Sequence, residues 1–228
     1  ILEVDVKNTG DKLGFVEKVG YGLGDMASNF YFQMFMIYLT FFYTDVFGIS
    51  PAAVGTMFLV TKLWDTFNDP IMGIIADRTD TKWGKFRPYL LWVVVPFAAL
   101  GVLTFTTPDF SVTGKLVYAY ITYTLMMMAY TAINIPYSAL MGVISPNSLV
   151  RTSVSSYRFI LAMAGTAIIQ SATRPMVKFF GQGNEPKGYQ MAMVVYAIAA
   201  IILFVITFVT TKERVKPKKE QHNTLKED

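Results

Sequence analysis

Apolar residues run in six long stretches, near 19–44, 51–76, 87–107, 115–143, 152–177 and 189–211. Each is long enough to cross ~30 Å of hydrocarbon, which takes about 20 helical residues. The pattern predicts six transmembrane helices and no sheet, an all-α integral membrane fold. Six crossings return the chain to the side it started from. Short polar segments between the stretches alternate in charge. Arg78, Lys82, Lys85 and Arg87 separate the second stretch from the third, and Lys212, Arg214, Lys216, Lys218 and Lys219 follow the sixth. The opposite connections have only Lys115, Lys178 and Lys187 at or near them. Cationic loops stay in the cytoplasm, so both termini are expected there. The organisation read from this is a transmembrane bundle over 1–211 and the start of a cytoplasmic linker over 212–228.

Composition agrees with a lipid environment. Of 228 residues, 53% are hydrophobic and only 16% charged, more apolar surface than a soluble domain of this length can bury. Membrane lipid is the first partner implied. Cysteine is absent, which excludes a disulfide framework, thiolate metal ligands and a cysteine nucleophile. The net charge of +4 sits in loops and tail, so no nucleic-acid surface is read from it. The first ten residues are polar and do not resemble a cleavable signal. The lone His222 lies in the tail, isolated from any catalytic or ligating partner.

Polar residues inside the stretches are the candidate chemistry, because a charge at mid-membrane costs at least ~2.5 to 3.5 kcal/mol on insertion scales. The second stretch holds Lys62, Asp65, Asn68 and Asp69. The last three are spaced i, i+3, i+4 and share one helix face, offering several hard oxygens to a small cation. Pairing of the acids with Lys62 or with another helix is the structural alternative. On the first stretch Asp25, Asn29 and Gln33 form a polar stripe expected to face a cavity. On the fourth, Tyr130, Thr131, Asn134, Tyr137 and Ser138 fall at helical spacing, with Pro136 freeing a backbone carbonyl. Rings beside amides and hydroxyls suit a sugar, and interhelical hydrogen bonding is the alternative. Arg158 on the fifth stretch needs an acid, with Asp25, Asp65 and Asp69 available. Ala162, Gly165 and Ala167 on the same helix read as packing positions.

The segments GYGLGDMASN (20–29), YTDVFGIS (43–50), KLWDTFNDPIMGIIADRT (62–79), KWGKFRPYLLW (82–92) and YTAINIPYSAL (130–140), with Arg158 following, resemble the glycoside-pentoside-hexuronide:cation symporters. That family, typified by melibiose permease, lies within the major facilitator superfamily. The resemblance implies the N-terminal bundle of a major facilitator fold, a 3+3 inverted repeat, and about half of a twelve-helix carrier. It implies a multi-pass protein of a bacterial inner membrane, coupled to Na⁺ or H⁺ and using no other cofactor or metal. The cation set is similar to Asp65, Asn68, Asp69 and Thr131. The sugar set is similar to Asn29, Asn134 and Arg158, to which Asp25, Tyr130 and Ser138 are added from the spacing above. Asn29 and Asn134 stand where melibiose permease has acids, and Ser138 where it has Trp. A pentoside, glycoside or hexuronide is expected rather than melibiose, and loss of negative charge beside Arg158 is expected to tolerate an acidic sugar.

Asp77, Arg78, Lys85 and Arg87 resemble the superfamily's gating loop. The partner expected is a C-terminal six-helix half or a second copy of this half. Two other readings fit parts of the sequence: a scaffold half that does not transport, and an intramembrane aspartyl protease, from the GxGD pattern at Gly22–Asp25. No helix precedes the latter to supply its second Asp, and no enzyme activity is expected.

Overall fold

The computed structural model describes residues 13–215, and its elements are helical. The tail from 216, including His222, and the polar segment 1–12 lie outside the described residues. Helix α1 is Phe15–Gln33 and continues through two π-helical segments, Met34–Leu39 and Phe42–Val46. Helix α2 is Pro51–Arg78, α3 is the short Tyr89–Trp92 and α4 is Val94–Thr104. Helices α5 (Val112–Ile144), α6 (Ser148–Gly181) and α7 (Glu185–Thr210) complete the bundle. Local sequence explains the starts. Ser50, Ser111, Asn147 and Asn184 cap α2, α5, α6 and α7 by accepting a backbone N–H, and Pro51 occupies the first turn of α2, where a missing N–H costs nothing.

Among the described residues, α5, α6 and α7 are long and apolar enough to cross a membrane, and Tyr89–Thr104 forms a shorter apolar helical run. Helix α2 misses that threshold of apolarity because of its internal charges, and α1 is broken by its π-helical turns. Arg214, after α7, grips Glu17 in the first turn of α1 through two bonds of 2.6 and 2.8 Å, so the start of α1 and the end of α7 lie at one end of the bundle.

The packing repeats with a two-fold pattern. Helix α1 packs on α6 and α7, while α5 packs on α2 and α4, and α4 meets α7 between the two sets. That is the pairing an inverted repeat of three spans produces. The symmetry is incomplete: α6 and α7 pack broadly, whereas no comparable contact joins α2 to α4 among the described residues. Helix α2 therefore stands apart, with Leu59, Leu63, Trp64, Phe67, Ile71 and Ile74 exposed.

The close seam between α1 and its neighbours is made by α1's glycines. A Cβ on Gly22 would come within 2.7 Å of the Leu161 side chain, and one on Gly24 within 2.6 Å of the Tyr137 ring. This corrects part of the expectation for α6. Gly165 is buried against Met26, but Ala167 is exposed and makes no seam. Rings fill the layer beyond. Tyr31 lies 4.0 Å from Phe97 and Phe42 lies 4.9 Å from Phe105, centroid to centroid, tying α1 to the third span. Tyr21 and Tyr137 stack at 4.6 Å, and each hydroxyl donates to the other's backbone carbonyl. Tyr137 is thus an interhelical staple, not part of a sugar-facing row.

At the end where α1 starts, residues 211–215 form a strap over the bundle. The Glu213 carboxylate accepts the backbone N–H groups of Lys85, Phe86 and Arg87 at 2.9, 2.8 and 3.0 Å. Arg214 and Val215 donate their backbone N–H groups to the Val143 carbonyl near the end of α5. Gly84 is fixed twice over, by φ +109° and because a Cβ there would strike the Glu213 carboxylate.

Candidate functional site

The buried stripe of α2 that meets α5 is Val54, Met57, Thr61 and Asp65, spaced three and four residues apart. Asp65 therefore enters a packing face otherwise built from apolar and hydroxyl side chains. It is 5% exposed, and its Oδ1 has no hydrogen-bond partner. One turn on, Asp69 is more open, and its Oδ1 accepts from the Thr131 hydroxyl of α5 at 2.9 Å. Lys62 makes no ion pair with either acid within 4.0 Å; the ion pairs among the described residues lie elsewhere. Of the structural alternatives, pairing with another helix is the one Asp69 makes, through Thr131, while Lys62 lines the same cavity without a direct contact to either acid.

These groups line one cavity of about 280 Å³ between α1, α2 and α5. Its polar wall is Lys62, Asp65, Asp69, Tyr130, Thr131 and Asn134. The rest of its lining is apolar or aromatic and includes Phe32, Phe35, Met36, Tyr123 and Met127. The α1 contribution begins where the helix turns π-helical, a local change of register that often accompanies functional sites. Chemically, an orphaned carboxylate oxygen beside a second carboxylate and a hydroxyl fits a small hard cation, which would replace the hydrogen bonds Asp65 lacks. A ring-lined wall next to amide and hydroxyl groups fits the C–H face and hydroxyls of a sugar.

Not every expected residue reaches this cavity. Asn68 is partly buried but does not line it, because α2 turns it to the other side of Asp65 from Asp69. Ser138 is exposed and outside the lining. Asn134 lines the wall but donates to the Tyr130 carbonyl on its own helix at 3.0 Å. Asn29 likewise donates to the Asp25 carbonyl at 3.1 Å, and its Oδ1 lies 3.5 Å from the Thr166 hydroxyl on α6. The stripe of Asp25 and Asn29 therefore engages α6, and the α1 wall of the cavity is aromatic and Met instead. Of the three acids available to Arg158, Asp25 is the partner, with Nε 3.4 Å from Oδ2. Asp25 thus puts one negative charge beside Arg158 although Asn29 and Asn134 are neutral. Arg158 is also accompanied on α6 by Arg174, exposed nearer the helix's other end.

Two of the four loop residues, Lys85 and Arg87, bond to backbone carbonyls of this bundle. Lys85 Nζ donates to the Asp77 carbonyl at 3.0 Å, and Arg87 donates to the Phe208 carbonyl at 2.6 Å with its guanidinium over the Phe208 ring. The Asp77 and Arg78 side chains are exposed.

Residues 20–227 match the sequence profile described as MFS/sugar transport protein. The chain belongs to this family. Among its curated relatives, it is similar to the "Inner membrane symporter YicJ" of Escherichia coli, 48% identical over 204 residues, which is 90% of this chain and 44% of that protein. The "Putative glycoside/cation symporter YagG" of the same organism is 47% identical over 89% of this chain and 44% of its own length. The "Isoprimeverose transporter" of Lactiplantibacillus pentosus is 43% identical, with coverage of 88% and 42%. The chain spans less than half the length of these relatives. The family is one of transport proteins, and the protease pattern Gly22–Asp25 has another explanation: its glycines pack against α5 and α6 and its Asp is bound to Arg158.

Sequence reasoning missed the apolar wall of the cavity and Glu213. Phe32, Phe35 and Met127 read as lipid-facing bulk until the π-helical turn of α1 and the contact of α2 with α5 are known. Glu213 had a signal: it is the one acid in the otherwise basic stretch TKERVKPKK.

Proposed function

We propose that the full-length protein is a secondary transporter that couples entry of a sugar or glycoside to a cation, Na⁺ or H⁺, by alternating access. The observation that supports this most is the buried Asp65 carboxylate, with an unpartnered oxygen, beside the Asp69–Thr131 pair on the wall of one cavity. A fixed carboxylate in hydrocarbon is stabilised by an ion more than by anything else in reach. We assign Asp65, Asp69 and Thr131 to the cation, with Asn68 able to join if α2 rotates. We assign Tyr130, Asn134, Asn29 and Arg158 to the sugar, with Asp25 acting through Arg158 and Ser138 at the margin. Pentosides, glycosides and hexuronides are the substrate classes to which the amide pair Asn29 and Asn134 points, ahead of melibiose.

The remaining half of the carrier is the natural cover for α2, whose Leu59, Leu63, Phe67 and Ile71 are exposed among the described residues. We assign both termini to the cytoplasmic side of a bacterial inner membrane, a reading supported by the cationic residues between α2 and α3 and after α7. There the Asp77, Arg78, Lys85 and Arg87 loop would meet the second half and latch it in one state of the cycle.

The test is accumulation of an aryl β-xyloside by the full-length carrier in proteoliposomes, driven by a Na⁺ gradient or, separately, by a pH gradient without Na⁺. One of the two gradients should drive accumulation, and Asp65→Asn should remove the response. Uptake indifferent to both gradients would overturn the coupling.

A further inference from the structure

Asp25 and Arg158 are the one ion pair joining α1 to α6 among the described residues, and it is a loose one. The contact is a single 3.4 Å approach of Nε to Oδ2, and Nε makes no hydrogen bond. The two side chains keep 30% and 15% of their surface open. Little of the α1–α6 seam depends on it. The helices already meet through Gly22 against Leu161 and through Gly165 against Met26. A pair so open, inside a span, has donors and acceptors to spare. Guanidinium N–H groups can give hydrogen bonds and the carboxylate can take them, which is the complement of a hydroxyl that does both.

The pair also fixes the charge that a ligand meets. A lone guanidinium in hydrocarbon would draw a carboxylate strongly. With Asp25 3.4 Å away, that attraction is cancelled at close range, and an acidic sugar would bring a second negative charge to one positive.

We infer that Asp25 sets the charge preference among the accepted substrates: as counter-ion to Arg158 it ranks uncharged glycosides ahead of hexuronides. This rests on the assignment of Arg158 to the sugar site made above. Asn29 supports it structurally, since its amide donates to the Asp25 carbonyl on the same helix and its Oδ1 lies 3.5 Å from the Thr166 hydroxyl on α6.

The experiment compares uptake of p-nitrophenyl β-xyloside and p-nitrophenyl β-glucuronide by the full-length carrier, wild type, Asp25→Asn and Asp25→Glu. The wild type should prefer the xyloside. Asp25→Asn should shift the ratio of glucuronide to xyloside uptake toward the glucuronide by roughly tenfold or more, the scale of one charge-assisted hydrogen bond, whatever the absolute rates. Asp25→Glu keeps the counter-charge and should keep the wild-type ratio. A wild type that takes both equally overturns the inference without any variant, and so does an Asp25→Asn protein that takes up either glycoside with an unchanged ratio. Should Asp25→Asn fail to reach the membrane, Asp25→Ser is read the same way. Absence of any glycoside uptake by the wild type would instead overturn the proposed function, and this inference with it.

Discussion

Glu213→Ala should release the loop between α2 and α3 from the strap. The carboxylate accepts three backbone N–H groups, at 2.9, 2.8 and 3.0 Å, and two of them share Oε1. A hydrogen bond to a charged group contributes roughly 1.5–3 kcal/mol, reduced where one oxygen serves two donors and where the site is partly open to solvent. The local loss is then about 2–4 kcal/mol. If opening is fast compared with cleavage, proteolysis follows the open population, so trypsin should cut the loop roughly thirtyfold to several hundredfold faster. The informative bonds are those after Lys82 and Lys85, since Arg87 is followed by Pro88. Glu213→Gln retains a neutral acceptor and should show a smaller increase. The assay is limited trypsin digestion in mild detergent, with fragments timed by mass spectrometry. Cleavage after Lys85 within about threefold of wild type in Glu213→Ala would refute the argument that this carboxylate holds the loop.

Other outcomes follow from the same geometry. Thr131→Val removes the hydroxyl that bonds Asp69 and should weaken the apparent Na⁺ affinity of sugar uptake by roughly tenfold, while Thr131→Ser should restore it. Gly24→Ala places a methyl within 2.6 Å of the Tyr137 ring and should destabilise the bundle by about 1–3 kcal/mol, read as a lower unfolding temperature in detergent. A protein of residues 1–228 alone exposes the apolar face of α2 and should dimerise or bind a second half. A stable, sugar-binding monomer by mass measurement in detergent would count against that.

Much of the architecture was legible because hydrophobic length is a strong signal in a bilayer: the apolar stretches anticipate α2, α5, α6 and α7 to within a few residues at most ends. The cavity was half legible. Asp65 and Asp69 announce themselves because charge is costly in hydrocarbon, and Thr131 was reached through resemblance, then found 2.9 Å from Asp69. Which face of α1 meets the cavity was not legible. Asp25 and Asn29 look like a cavity stripe by period alone, yet they turn to Arg158 and Thr166, and the π-helical turns beyond Gln33 bring in Phe35 and Met36. Register changes of this kind leave no periodic trace. Tyr137 was misread for a related reason: a hydroxyl at helical spacing says nothing about whether its partner is a ligand or the backbone of the next helix, here Tyr21.

The central claim is that the Asp65 and Asp69 face binds the ion that drives the sugar. Binding of ion and sugar at adjacent sites must be reciprocal, each raising the other's affinity by the same factor, typically 5- to 150-fold. The most direct measurement is calorimetry of the full-length carrier, titrating aryl β-xyloside with and without Na⁺ and Na⁺ with and without the xyloside, repeated at several pH values to separate protons. The account predicts equal factors in the two directions, with protons substituting if they are the coupling ion. Asp65→Asn and Asp69→Asn should each bring that factor to one while the protein still folds, because loss of an unpaired intramembrane charge lightens the insertion cost. Ion-dependent sugar affinity that survives both substitutions would contradict it.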